Sequence, residues 1–389
     1  MRTKFLDLIL ATALLAVVVS AFSYTWTPMS PTSLSGVISM SADGRIVCVC
    51  PSTSGQLRIS RDSGQTWYIA TNAPVGGSLS GNPVALSANG SQIIACLSSN
   101  TFNPHWIFLS TDFGTNWTKL NLPGLPNVFS GYCLACSADG SNLIAAENLG
   151  PIHFSTNSGA DWSTATAPST NWVSIASSAD GHRMVAAVRD ERVYFSTNFG
   201  STWTPSNLST QKWASVCISS DGNSVGAIGT SSYISRDAGS HWLTNKFSNA
   251  AIACSANGTT WMIAGAQVYT SSDGGVTWTT NFSNAGWGGA MSADGCEIVV
   301  NQNLGSGGLT NWVGHITPAP QLKIQPSDTN IALSWLLPST NFVLQQNTDL
   351  TTTNWVTVSN SPILNFTNLQ YEVAVPNLTS NSFFRLLAQ

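Results

Sequence analysis

The sequence predicts an all-β protein, a seven-bladed β-propeller followed by a small C-terminal β-sandwich. Three observations carry this expectation. A Ser-Ala-Asp/Asn-Gly motif recurs seven times, a second motif ending in Trp follows it six times, and each repeat has room for four short strands. Composition agrees with a β-rich chain of short strands and turns. Charged residues are only 8% of the 389, against roughly 25% in an average domain. Hydrophobic residues reach 43%, with 15 Trp, so the polar surface has to come from Ser, Thr and Asn. The net charge is −4 and the 14 Lys and Arg are scattered. Nucleic-acid binding needs a concentrated positive stripe, so no such partner is expected.

The N-terminus reads as a signal peptide over residues 1–21. Arg2 and Lys4 precede an apolar run from Leu8 to Val19, and Val19-Ser20-Ala21 offers a small-residue cleavage site. That run is short of the roughly 20 residues that span a bilayer. An exported protein, secreted or held at the cell surface or in the periplasm, is expected, with no membrane span after cleavage and a monomeric state.

The propeller is expected over 22–316. The first motif starts at Ser41, Ser87, Ser137, Ser178, Ser255 and Ser292, with a Ser-Ser-Asp-Gly variant at Ser219. Each copy stands between two short apolar runs, the pattern of a β-hairpin. In the fourth unit the four strands are expected at Val173–Ser177, Met184–Val188, Val193–Ser196 and from Trp203 onward. Four-stranded sheets repeated every 36 to 50 residues describe propeller blades.

The second motif reads Ser-x-Asp/Asn-x-Gly-x-x-Trp. Its acid or amide and its closing indole are Asp62 and Trp67, Asp112 and Trp117, Asn157 and Trp162, Asn198 and Trp203, Asp237 and Trp242, and Asp273 and Trp278. The Asp or Asn can accept backbone N–H bonds within its own turn, the Gly permits positive φ, and the Trp can pack between sheets. These residues are read as structural: Asn157 and Asn198 keep the acceptor but cannot act as an acid. On these residues the region of about 22–315 resembles the Asp-box (BNR) repeat family, which includes sialidases, xyloglucanase-type hydrolases and photosystem II assembly-factor propellers. The resemblance implies that the boxes lie at the outer edge, away from the active face.

A seventh box is expected in degenerate form at Gly305–Trp312, and Tyr24–Pro28 looks like an outer strand without its blade. Trp26 is therefore expected to complete the blade begun at Ser292, leaving no free sheet edge. Pro318-Ala319-Pro320 marks a linker at 317–320. Strand-like runs at Gln321–Ile324, Ile331–Leu336, Phe342–Gln345, Trp355–Val358, Tyr371–Val375 and Phe383–Leu387 then suit a sandwich over 321–389. This part resembles a small module at the C-termini of exported bacterial proteins, for which a folding cap, surface retention and carbohydrate binding all stay open. The eight Cys read mainly as small buried hydrophobes, with one or two disulfides between neighbouring strands left open. No metal or cofactor is expected.

Function in such a ring sits on the face opposite the boxes. Candidates there are Glu147, the cluster Arg189-Asp190-Glu191-Arg192, and Trp172, Trp213 and Trp287, which stand five or six residues before an inner turn. The indoles either stack on a ligand or plug the axis as core. A sialidase-like hydrolase needs three Arg, a Tyr with a Glu partner, and an Asp. The Arg-Ile-Pro motif is missing and nine Arg leave few to converge. The expectation is a non-catalytic recognition or scaffold propeller that binds a glycan or protein, with the sialidase-like exo-glycosidase as alternative and no catalytic residue assigned.

Overall fold

The computed structural model describes residues 24–29, 36–51, 56–71, 73, 84–98, 105–122, 132–248, 251–283, 285–303, 309–316, 322–326, 330–336, 342–349, 351–376 and 382–388. The expected signal peptide and the 317–320 linker lie outside them. Every helix or strand among the described residues is a strand, and every strand pair in a sheet is antiparallel. Seven meanders surround one axis, each running from an inner to an outer strand. Blade four is typical, with strands Thr170–Ser177, Met184–Glu191, Val193–Ser196 and Thr204–Pro205. The expected strands match these, except that the first two extend further toward the loop face.

The inner turns build the ring. The Ser41 hydroxyl donates to the Asp43 carboxylate at 2.6 Å and accepts the Ile46 N–H at 2.9 Å. The same hydroxyl relay recurs at Ser87, Ser137, Ser178, Ser219, Ser255 and Ser292. The residue after each Ser then links blade to blade through its backbone. Ala42 N–H donates to the Ala88 carbonyl (2.8 Å), and the chain of bonds runs on through Ala138, Ala179, Ser220, Ala256 and Ala293. The Ala293 N–H returns to the Ala42 carbonyl at 2.7 Å. This closed collar defines seven blades and their cyclic order.

The outer boxes follow one geometry. In blade four the Ser196 hydroxyl donates to Asn198 Oδ1 and accepts the Gly200 N–H, both at 3.0 Å. Asn198 Oδ1 also accepts the Thr202 N–H (3.0 Å), and the Trp203 indole N–H donates to the Gly200 carbonyl (2.9 Å). Asp62, Asp112, Asn157, Asp237 and Asp273 accept the equivalent backbone N–H in their boxes. Trp67, Trp117, Trp162 and Trp278 repeat the bond to their Gly, whereas Trp242 donates to Asn207 Oδ1. The turn needs two successive left-handed residues: φ is 58° at Phe199 and 82° at Gly200.

The ring closes with a strand from each end of the propeller segment. Blade seven holds Ala285–Met291, Glu297–Asn303 and Leu309–His315, and its outer strand is Thr25–Pro28, with Trp26 opposite Gly314. The Tyr24 hydroxyl donates to the Gly295 carbonyl at 2.6 Å. This is the expected closure. The expected degenerate box at Gly305–Trp312 is corrected: Trp312 sits inside the third strand, opposite Val300, and residues 305–308 lie outside the description. In this blade the third and fourth strands come from opposite ends of the propeller segment, so no turn joins them and no box is required.

Residues 322–388 form two packed sheets, of four strands and three. Leu333, Trp335, Leu344, Val373 and Val375 fill the space between them. Ile363–Asn365 is an additional edge strand that the alternation did not suggest. All eight Cys are free thiols. Burial pushes the Cys50 and Cys136 thiols up to about 12, which keeps them as small apolar side chains.

Candidate functional site

The loop face is best described at blades three to five. There the hairpin after the second strand of each blade leans on the next blade. Asn148 and Gly150 pair with Asn171 and Thr170, and Arg189 and Glu191 pair with Lys212 and Gln211. Each hairpin tip carries one left-handed residue, Leu149 at φ 66° and Asp190 at φ 62°. Two neighbouring tips with the same backbone thus present different side chains. Leu149 is 73% exposed on the hairpin of blade three, and Arg189, Asp190 and Lys212 are exposed where the hairpin of blade four meets blade five.

Trp172 and Trp213 are not rim residues. Each is only 1% exposed. Trp172 packs edge-on against Tyr194 and its indole N–H donates to the Gly150 carbonyl at 3.2 Å. Trp213 packs against Tyr233 and donates to the Glu191 carbonyl at 3.1 Å. Both tie one blade's hairpin to the next blade, and neither offers a ring face to a ligand. Trp287 lies on the inner strand of blade seven, and its side chain is outside the described residues.

The structure brings Glu191 together with two hydroxyls that the sequence reading passed over. Tyr194 O–H donates to Glu191 Oε1 at 2.8 Å, and the Thr170 hydroxyl donates to Oε2 at 3.2 Å. Burial, and then the bond to Glu191, raise the Tyr194 phenol above its usual value. The i, i+3 spacing across a known hairpin was the signal available for this pair. Glu147 is half-buried behind Gly150, and burial raises its carboxyl. Arg192 turns back: its Nη1 donates to the carbonyls of Ser206 and Leu208 at 3.2 and 3.3 Å.

Four further arginines are also engaged by the fold. Arg61 donates to the Phe113 carbonyl and the Thr115 hydroxyl of the next blade's box and stacks on Tyr68. Arg236 grips the Gly274 carbonyl of the following box in the same way, and Arg183 reaches Asn223. Arg385 lies over Trp355 in the C-terminal module. Among the described residues no three His, Cys, Asp or Glu gather as a metal site. No helix among them is long and apolar enough to cross a membrane.

A closed seven-bladed ring with a mixed-polarity rim defines a β-propeller, and the solved structures similar to this chain are propellers. The chain matches no protein-family model, and no curated protein matches it in sequence. It is similar in fold to YCF48 from Cyanidioschyzon merolae, at 16% identity over 75% of this chain and 98% of that one, with a TM-score of 0.54. A structure of YCF48 bound to D1 peptide aligns over 77% of this chain and 98% of that chain at 16% identity, with a TM-score of 0.55. The GH74 xyloglucanase from Xanthomonas campestris aligns at 14% identity, TM-score 0.54, over 80% of this chain and 59% of that one.

Proposed function

We propose that this is an exported, non-catalytic recognition propeller that holds a protein segment on its loop face. The observation that carries the reading is where the arginines and indoles go. Arg61, Arg183, Arg192 and Arg236 are used inside and between blades. The three others of the propeller stand apart, Arg45 in an inner turn, Arg58 on the third strand of blade one and Arg189 on the hairpin of blade four, so no triad is assembled to hold a carboxylate substrate. Trp172 and Trp213, which would stack on sugar rings from the rim, are core. Leu149 is exposed at the tip of one hairpin, and Arg189, Asp190 and Lys212 are exposed where the next hairpin pairs with its neighbour, so neighbouring blades offer an apolar point and both signs of charge. That mixture suits a peptide, with backbone and side-chain contacts, better than a bare glycan. A propeller of similar fold has been solved with a peptide bound.

The sialidase-like hydrolase stays as the second reading because of the Tyr194–Glu191 bond, the pairing such chemistry uses. Tyr194 is 7% exposed and lies against Trp172, which speaks against it as a nucleophile.

The test is a peptide array and a glycan array probed with the mature chain, beside a screen with fluorogenic sialosides and polysaccharides. Peptide binding that falls at least roughly tenfold in a Leu149→Ala/Arg189→Ala/Lys212→Ala variant is expected, tenfold corresponding to about 1.4 kcal/mol. Turnover that disappears in Glu191→Gln would sink the proposal in favour of the hydrolase.

A further inference from the structure

The end of the axis that carries the inner turns has a built socket. Its collar is six alanines and one serine: Ala42, Ala88, Ala138, Ala179, Ser220, Ala256 and Ala293. Every N–H and every C=O between neighbours in that collar is engaged in the closed ring of bonds. It therefore offers methyl groups and a single hydroxyl to whatever sits on the axis. An apolar knob with one polar reference point is the complement.

The C-terminal module carries such a knob. Phe366 and Leu369, on the turn between strands Ile363–Asn365 and Gln370–Pro376, pack with Ala42 against the cluster of Ala88, Ala138 and Ala179. The Ser220 hydroxyl, which donates to the Ala256 carbonyl at 2.7 Å, lies 3.5 Å from the Asn368 carbonyl. The collar's one departure from alanine thus meets the turn's backbone.

Hydrogen bonds within the module itself hold the turn in shape. Thr367 donates its N–H and its hydroxyl to Asn365 Oδ1 at 2.9 and 2.6 Å. The Asn365 and Asn368 amides both donate to Glu372 Oε1 at 2.9 Å. Leu369 sits at φ 55°, a left-handed conformation that is costly for a bulky side chain and persists only where surroundings over-determine it. That conformation places Leu369 beside Phe366 on the collar.

We propose that the alanine collar is a docking socket for the Asn365–Gln370 turn of this chain, and that the C-terminal module is a cap seated on the turn-bearing end of the propeller. The two domains then move as one body, and the loop face is the end left for a partner.

The test uses the full mature chain with the double variant Phe366→Asp/Leu369→Asp and, separately, Ala138→Glu. Each alters one side of the contact and leaves the other domain intact, so a variant that fails to fold is replaced by its counterpart. Near-UV circular dichroism checks folding. Release of the cap should raise the radius of gyration in small-angle X-ray scattering. It should also speed protease cleavage between the domains by roughly tenfold, since cleavage follows the population of the opened form. Phe366→Leu should stay compact. A folded knob or socket variant with the wild-type radius and cleavage rate would overturn the proposal.

Discussion

Ser196 shows how much one hydroxyl does in this molecule. It is 2% exposed, donates to Asn198 and accepts the Gly200 N–H. Ser196→Ala leaves that buried N–H without its partner, so a loss of roughly 1–3 kcal/mol is expected, read from urea or thermal unfolding. Trp172 makes the complementary point. As core it should cost about 3–5 kcal/mol on truncation to Ala, and much less as Phe. Binding by folded Trp172→Phe should match the wild type. A selective loss of binding without loss of stability would return Trp172 to the rim. The box indoles were legible in the sequence because their local turn fixes them. Trp172 was not legible, because its side is chosen by pairing with Gly150, a residue of the previous blade.

At the scale of the element, the acids of the outer boxes and a buried acid on a strand of the closing blade give opposite pH dependences. The box acids accept several N–H bonds as carboxylates. The N–H of Asn116 and then its side chain hold Asp112 down at about 2, and the N–H and ring of His241 do the same for Asp237. Their contribution is present above the unfolded value of 3.8 and is lost as pH falls through it toward 2. Glu297 in the closing blade runs the other way. It is 7% exposed beneath Gly44, and its Oε1 lies 3.7 Å from His315 Nδ1. Burial pushes its carboxyl up to about 7, with Asp294 and Asp43 adding and Ser63 and Arg45 opposing. The folded state therefore binds the proton more tightly. Stability is full below the unfolded value of 4.5 and falls as pH rises to about 7. Glu297→Gln should remove that fall and gain about 1–3 kcal/mol at pH 8, measured by denaturant titration at pH 5 and pH 8. A variant with the wild-type slope would place the titration elsewhere.

The whole molecule depends on joining its first and last strands. Removing residues 22–30 takes away the strand opposite Leu309–His315 and exposes the inter-blade cluster that holds Tyr24 and Trp26. The melting temperature should drop sharply, and an unchanged value would refute the closure as the stabilising seam. Reductant should leave the melting temperature unchanged, since all eight Cys are thiols. The closure also explains the count of motifs. Seven inner turns and six boxes are what a ring closed between its third and fourth strands requires, and the Trp of the apparent seventh box belongs to a strand.

Blade number and box geometry were legible in the sequence alone, because each rests on residues within one hairpin or on a repeat that counts itself, and the closing strand was legible only as the outer strand that the count left without a blade. The candidate site was legible only in outline: the charged hairpin at Arg189–Arg192 was visible, but the direction of each side chain was not. Arg192 turns to Ser206 and Leu208, Glu191 to Tyr194 and Thr170, and the indoles to neighbouring blades. Those choices, and the seating of Phe366 and Leu369 on the collar, belong to the tertiary structure. They are made by partners distant in the chain, whose meeting no local spacing encodes.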